Sequence, residues 1–204
     1  MPSGAARVAV DGVDGVGKTT FAGRLAAALR GRGREVVRVS ADDFHRPRAE
    51  RHRRGRESAD GFWLDSYDYP VLVRDVLRPL GPGGDRRFRR RAHDLRTDVV
   101  QDLVWETAPP DAVLIVDGLF LQRDEVRAFW ELTIFLDAPF EVTVPRMAAR
   151  DGSPPDPAHP SLARYVGGQR LYFAACHPRD RADVLIDHAD LSAPRIVRAG
   201  RRNP

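Results

Sequence analysis

Lysine is almost missing from this 204-residue sequence: of its 33 basic side chains, one is lysine and 32 are arginine. Cysteine is equally scarce, with Cys176 alone. One cysteine excludes an intrachain disulfide and a thiolate metal cluster, and it suits a reducing cytoplasm. Long apolar runs are lacking as well. None approaches the ~20 residues that span a membrane, and the first residues carry no apolar signal segment. No repeat and no linker divides the chain, so a single domain over 1–204 is expected, cytoplasmic and without a membrane partner. Its 42% hydrophobic and 30% charged residues are those of a globular fold.

What is present begins with charge. The balance of +4 and an isoelectric point near 9.8 invite a nucleic-acid reading. Arginine has, however, replaced lysine wherever a generic positive charge suffices. The surviving lysine, Lys18, lies inside "DGVDGVGKTT" (Asp11 to Thr20). Arginine is bulky and forked, whereas lysine is a slender point charge that threads between phosphates. Gly12, Gly17, Lys18 and Thr19 satisfy G-x-x-x-x-G-K-[ST]. The strand-like "RVAV" precedes them, and Phe21, Leu25, Ala28 and Leu29 follow at helical spacing. Strand, glycine loop and helix N-terminus together cradle phosphate. The expected nucleotide contacts are Gly12, Val13, Asp14, Gly15, Val16, Gly17, Lys18, Thr19 and Thr20, with Lys18 on the β and γ phosphates and Thr19 on Mg²⁺.

Downstream, apolar runs alternate with helical stretches. "EVVRVS", "AVLIVDG", "LTIFLD" and "ADVLID" read as further strands. Helices are expected over 69–77, 123–130, 140–150 and 161–175. The alternation implies an α/β fold with a parallel sheet. "GSPPDPAHPS" is a proline-rich loop of a length that is often functional. In such sheets ligands gather at the carboxyl ends of the strands, where Asp42, Asp43, Asp117 and Asp137 stand. Carboxylates beside phosphates serve to bind Mg²⁺ or to take a proton from an attacking hydroxyl. Asp117, after "VLIV", suits the metal, and Asp42 suits the proton; capping of the next helix is the alternative for each. A GTPase switch needs an N-K-x-D segment, for which no second lysine exists. A nucleic-acid motor needs more chain, whereas a small-molecule kinase needs only a sheet, an acceptor pocket and a lid bearing arginines.

The chain resembles, over most of its length, the uridine kinase and phosphoribulokinase group of P-loop kinases. The likeness is carried by "SADDFHRP", "SYDYP", "RRFRRRAHDLRTD", "VLIVDGLFL", "LDAPFEVTVPRMAARD" and "YVGGQRLYFAACHPRDRADVLID". It implies a P-loop NTPase fold whose five-stranded, mostly parallel sheet runs in the order 2-3-1-4-5 between helices. A substrate-side hairpin at about 85–93 and a lid at about 146–162 complete it. ATP or another nucleoside triphosphate is the implied donor, with Mg²⁺ on Thr19, Asp42 and Asp117. Asp42 is the implied base, and Lys18, Arg146 and Arg150 are the catalytic cations. Asp42, Asp68, Phe88, His93 and Gln169 are implied on the acceptor side, where the 5′-OH of uridine or cytidine is the leading expectation. A ribosyl-pyridine, pantothenate or a nucleoside monophosphate is the alternative acceptor. A nucleic-acid-associated or regulatory ATPase is the rival class.

The chain departs from that pattern at several points. Thr143 and Met147 stand where lid arginines are usual, Phe88 lacks a tyrosine hydroxyl, and Asp14 in the loop is closer to thymidylate kinases. Thymidylate kinases have D-R-[YFH] where this chain has "VDGLF". The arginine-rich tract Arg46–Arg56 reads as a flexible, solvated flap over the acceptor site, about 44–62, with polyanion binding as the alternative. "FWLDSYDY" offers either core packing or a wall for a nucleobase. The tail 198–204 is expected to be disordered. A homo-oligomer is compatible with all of this.

Overall fold

The computed structural model describes residues 6–101 and 104–200. Its centre is a six-stranded sheet. Strands β1 (Arg7–Gly12), β2 (Val36–Ser40), β3 (Val113–Asp117), β4 (Leu132–Asp137), β5 (Val184–Asp187) and β6 (Arg195–Ala199) line up as β2-β3-β1-β4-β5-β6. The first five are parallel and follow the expected 2-3-1-4-5 order. β6 is an antiparallel addition at the edge. Its sequence, "RIVRA", leaves Ile196 and Val197 exposed, so it carries no burial signature. It lies partly in the tail for which disorder is expected: Arg198 Nη2 reaches the carbonyls of Arg179 and Ala182 at 2.6 and 2.8 Å and ties the strand down. Residues 201–204 of that tail lie outside the described residues.

The apolar runs are continuous because both faces of the sheet are covered. Alternate side chains point to opposite faces. Val8, Val10, Ile115, Ile134 and Leu136 pack toward Ala22 and Ala26 of helix α1 (Lys18–Arg30). Ala9, Leu114, Val116 and Phe135 face the other way, toward Phe44, Phe62, Tyr67, Phe120 and Tyr172. On that second face lie helix α2 (Ala59–Asp65) and helix α4 (Ala163–Cys176). Helix α3 (Phe140–Asp151) precedes the proline-rich loop and α4.

The local readings fare unevenly. The 69–77 helix is present, α-helical over Tyr69–Leu72 and widened to a π turn over Val73–Leu77. The expected 123–130 helix shrinks to Asp124–Arg127. Trp130 turns its indole N–H onto Leu121 O at 2.7 Å, which closes the chain on itself after one turn. Segment 85–93 does not fold on itself. Arg87–Phe88 pairs with Glu106–Thr107, and His93–Asp94 pairs with Val99–Val100 around a turn capped by Asp94.

The 44–62 segment is anchored rather than loose. Arg53 and Arg54 clamp the buried Asp65 at 2.5 and 2.9 Å, and Arg164 of α4 donates to the carbonyls of Arg51, Arg56 and Ser58. Sequence showed the positive charges but not the buried partners that immobilise them.

Candidate functional site

The glycine loop leaves β1 at Gly12 and enters α1 at Lys18. Gly15 and Gly17 take φ of 76° and 97°, a region that residues with a Cβ rarely enter. Gly15 is also crowded: a Cβ there would lie 2.6 Å from Thr143 O and 2.7 Å from Met147 Cγ. Helix α3 therefore presses directly on the loop. Thr143 and Met147 are buried in that contact, which leaves no room or water for the arginines usual at these positions. Val13 and Val16 are fully buried and give the loop its hydrophobic anchor.

Lys18 folds back over the loop, with Nζ donating to Val13 O at 2.9 Å and Gly12 O at 3.2 Å. Thr19 Oγ1 donates to Asp117 Oδ2 at 2.7 Å. The other Asp117 oxygen accepts from Arg38 Nη2 at 3.0 Å, and the same nitrogen reaches Thr19 O at 3.2 Å. Asp42 is exposed just past β2, where Ser40 Oγ caps its N–H at 3.3 Å. Its Oδ1 accepts from Tyr67 OH at 2.9 Å. Burial, then the adjacent Asp42 charge, holds the Tyr67 phenol far above its ordinary range, so it remains a donor. His45 donates through Nδ1 to Asp42 O at 2.8 Å, and burial holds its imidazole below the usual value against the pull of the Asp42 charge. Asp43 turns away to Arg91 at 2.5 Å. Burial raises its carboxyl, Arg91 lowers it, and the neighbouring charges of Asp42 and Asp117 raise it further, which places the three acids side by side.

Lys18, Thr19, Asp42, His45 and Tyr67 open onto one cavity of about 550 Å³. The glycine loop supplies Asp14, Gly15, Gly17, Lys18, Thr19 and Thr20; Asp42 stands opposite; Arg146 and Arg150 reach in from α3. Phe62, Tyr67, Leu95, Leu119 and Tyr165 form an apolar wall. Arg146 is held by the carbonyls of His188 and Ala189, and Arg150 pairs with Asp151 at 2.9 Å. The Asp151 bond holds the Arg150 guanidinium above its ordinary value, and the charges of Asp14 and Asp42 add to it. Asp14 thus faces the cavity beside Asp42 and Arg150. Thr19, Asp117 and Asp42 offer three hard oxygens, a set that suits a Mg²⁺ ion retaining water and phosphate ligands. Among the described residues no group of three or more His, Cys, Asp and Glu side chains forms a metal cage.

The remaining expected acceptor residues occupy other places. Asp68 caps the next helix by accepting from Val71 N at 3.1 Å. Phe88 is a core residue. His93 is buried against Asp98 at 3.1 Å, with its Nδ1 unpartnered. Gln169 is buried, and its Oε1 accepts from Asp14 N at 2.8 Å; it braces the glycine loop from α4. None of the four lines the cavity. Asp137 pairs with Arg179 at 2.8 Å. Residues the sequence reading did not single out include Tyr165, His45, Arg38 and the wholly buried Asp11, whereas Phe62 and Tyr67 of the cavity wall lie in "FWLDSYDY", the string expected either to fill the core or to form a wall. Arg38 did leave a trace: in "EVVRVS" it shares a strand face with Ser40, whose register partner is Asp117.

Comparison with known proteins follows the same lines. The sequence pattern described as the Phosphoribulokinase / Uridine kinase family matches residues 8–154. Thymidylate kinases of Xylella fastidiosa strains M12 and 9a5c are each 34% identical over 113 residues. That match takes in 55% of this chain but only 42% and 43% of theirs, so the chain spans less than half the length of these curated relatives. Among solved structures, one described as a possible uridine kinase from Bacillus stearothermophilus superimposes with a TM-score of 0.71 at 25% identity. It covers 91% of this chain and 90% of that one. Phosphoribulokinase from Rhodobacter spheroides gives a TM-score of 0.64 at 19% identity, covering 91% and 70%; at that identity the likeness is one of fold.

Proposed function

The chain belongs to the phosphoribulokinase / uridine kinase family, and from that premise we propose that it transfers the γ-phosphoryl group of ATP to a hydroxyl of a small molecule. One observation carries the reading: Asp42, aimed by Tyr67, shares a cavity with Lys18 and Thr19 of the glycine loop and with two lid arginines. Thr19, Asp117 and Asp42 are the residues to hold Mg²⁺, whose charge offsets that of the donor phosphates. Lys18, Arg146 and Arg150 stabilise charge on the transferring oxygens, and Asp42 orients and deprotonates the attacking hydroxyl. The wall of Phe62, Tyr67 and Tyr165 suits a planar group, and the 5′-OH of a pyrimidine nucleoside is the finer reading. Asp14 in the same cavity favours a second one, a nucleoside monophosphate, in keeping with the partial likeness to thymidylate kinases. The buried free thiol of Cys176 fits work in a reducing cytoplasm.

Asp42→Asn tests the assignment. It keeps the Tyr67 hydrogen bond and the cavity's shape but cannot take a proton. ADP release should fall about a hundredfold or more while nucleotide affinity is retained. Near-normal turnover removes Asp42 from the base role.

A further inference from the structure

Thr19 and Asp117 share a third partner that the glycine-loop motif does not contain. In β2, Val37 and Val39 turn toward the α4 side of the sheet, and Val36, Arg38 and Ser40 turn toward α1. Arg38 thus runs a charged side chain beneath α1. Its Nη2 donates to Asp117 Oδ1 at 3.0 Å and to Thr19 O at 3.2 Å. Among the described residues it is the one cation paired with Asp117. Asp117 is buried, and its Oδ2 accepts from the Thr19 hydroxyl at 2.7 Å. Both carboxylate oxygens are therefore engaged. The Thr19 oxygen, its proton directed to Asp117, keeps its lone pairs for the cavity, which Thr19 lines and Asp117 and Arg38 do not.

The fold gives up stability to hold this arrangement. Arg38 Nε is buried without a partner. Gly23 weakens the interior of α1, yet a Cβ there would lie 3.3 Å from Arg38 Nη1, so the glycine clears space for the guanidinium. On the strand's other side Arg90 Nη1 donates to Arg38 O at 2.9 Å, while the rest of its fork holds Glu106 at 2.8 and 2.9 Å. The local charges supply the reason. Asp43 feels the charges of both Asp42 and Asp117, so three carboxylates stand together at the end of the sheet. Arg91 offsets Asp43, and Arg38 offsets Asp117. Asp42, by contrast, is bonded by the neutral Tyr67 hydroxyl and keeps its charge for the cavity.

We propose that Arg38 is a positioning residue: it is the fixed countercharge of Asp117, it directs that carboxylate onto Thr19, and it makes the acids a poor site for a divalent cation that comes without nucleotide phosphates. The inference rests on the kinase reading above and narrows it. Asp117 serves the metal through Thr19, and Asp42 is the carboxylate whose charge the metal meets.

Binding of Mn²⁺, followed by loss of the free ion's paramagnetic resonance signal, tests this apart from turnover. Nucleotide-free wild type should bind Mn²⁺ weakly, and ADP should tighten the binding. Arg38→Met keeps the aliphatic stem and removes the charge; without nucleotide it should bind Mn²⁺ about tenfold or more tightly than wild type does. Arg38→Lys should return the affinity to the wild-type level, and Asp117→Asn added to Arg38→Met should abolish the gain. Arg38→Gln carries the same expectation where the methionine variant does not fold. A purely structural Arg38 would lower the melting point of Arg38→Met and leave its Mn²⁺ affinity unchanged; that result overturns the proposal. So does a lysine variant that binds Mn²⁺ as the methionine variant does, or a wild type that binds it equally well with and without ADP.

Turnover supplies the second measurement, as ADP release with the best acceptor among uridine, cytidine and thymidine monophosphate. Arg38→Met should lose about tenfold in kcat, with KM for Mg·ATP held or lowered. A raised KM with kcat unchanged overturns the positioning role while leaving the kinase reading in place. Tighter nucleotide-free Mn²⁺ binding by Arg38→Met, in a protein that releases no ADP with any of these acceptors, upholds the countercharge and overturns the nucleoside and nucleotide readings.

Discussion

Asp11 stands one residue before the glycine loop and is wholly buried. Its Oδ1 accepts from Gly12 N at 2.7 Å, and its Oδ2 accepts from Leu121 N at 3.1 Å and from the Tyr172 hydroxyl. One carboxyl thus ties the loop to α4 and to the segment after β3. Burial pushes its pKa from 3.8 up to about 6, outweighing the bonds that favour the charged form. The sign follows directly. A carboxyl whose folded pKa is raised stabilises the fold most when protonated. Its contribution is full below the unfolded value near 4 and is lost as pH rises through about 6. Asp11→Asn has no charge to bury; its single oxygen can accept from only one of Gly12 N and Leu121 N, a loss that does not change with pH. Relative to wild type, the variant should gain stability as pH rises from 4 to 7, by roughly 2–3 kcal/mol at most. Thermal unfolding of both proteins across that range checks it; a difference that stays flat with pH means that Asp11 does not titrate in the fold. Nothing in the sequence separates Asp11 from Asp14, because both flank glycines in the same motif. Burial separates them.

At the scale of elements, helices α2 and α4 cross closely because α4 carries Gly167 and Gly168. A Cβ on Gly168 would lie 2.6 Å from Phe62 Cδ1 and 3.1 Å from Ala59 O. The Phe62 ring cannot retreat, since it packs edge-on against both Phe120 and Tyr165. Two effects then compete in Gly168→Ala. Helix propensity favours alanine by about 1 kcal/mol, and overpacking a tight contact costs about 1–3 kcal/mol. The contact wins, and the variant should melt several degrees below wild type. Gly31→Ala is the control: at φ −62° its Cβ would meet Ala27 O at an ordinary 3.5 Å, so stability should hold or rise slightly. A Gly168→Ala protein as stable as wild type means that the crossing is not tight. The helix itself was legible despite "YVGG": it was expected over 161–175 and spans Ala163–Cys176. What was hard to read is the arginine tract, which looks loose until Asp65 and Arg164 are placed beneath it.

Across the whole molecule, the five parallel strands were legible because burial on two faces writes an unbroken apolar run for each, while their order came only from the family resemblance. The glycine loop was legible because its geometry admits few residues. The acceptor side was not. Asp68, Phe88 and His93 sit in suggestive strings, yet they cap, fill the core and pair internally, and only long-range packing decides between those roles. Of the cavity wall, Phe62 and Tyr67 were marked by "FWLDSYDY", whereas Leu95 and Tyr165 are distant from them in sequence and chemically ordinary. The loop is also the point where both halves of the core meet. Val13 and Val16 belong to the α1 side, while Gln169 and Tyr172 reach it from the α4 side. Occupying it should therefore stabilise the domain as a unit. A Mg²⁺ complex of a non-hydrolysable ATP analogue at a hundred times its Kd adds about 2.7 kcal/mol, or roughly 5–10 °C for a domain of this size. Lys18→Ala removes the charge that bridges the phosphates, and its melting point should scarcely respond to the nucleotide. Lys18→Arg should respond weakly despite the conserved charge, because the forked head does not fit between Val13 O and Gly12 O where Nζ lies. Differential scanning fluorimetry of the three proteins decides the matter. A full shift in Lys18→Arg would mean that any cation serves, and that the one lysine among so many arginines has no special task.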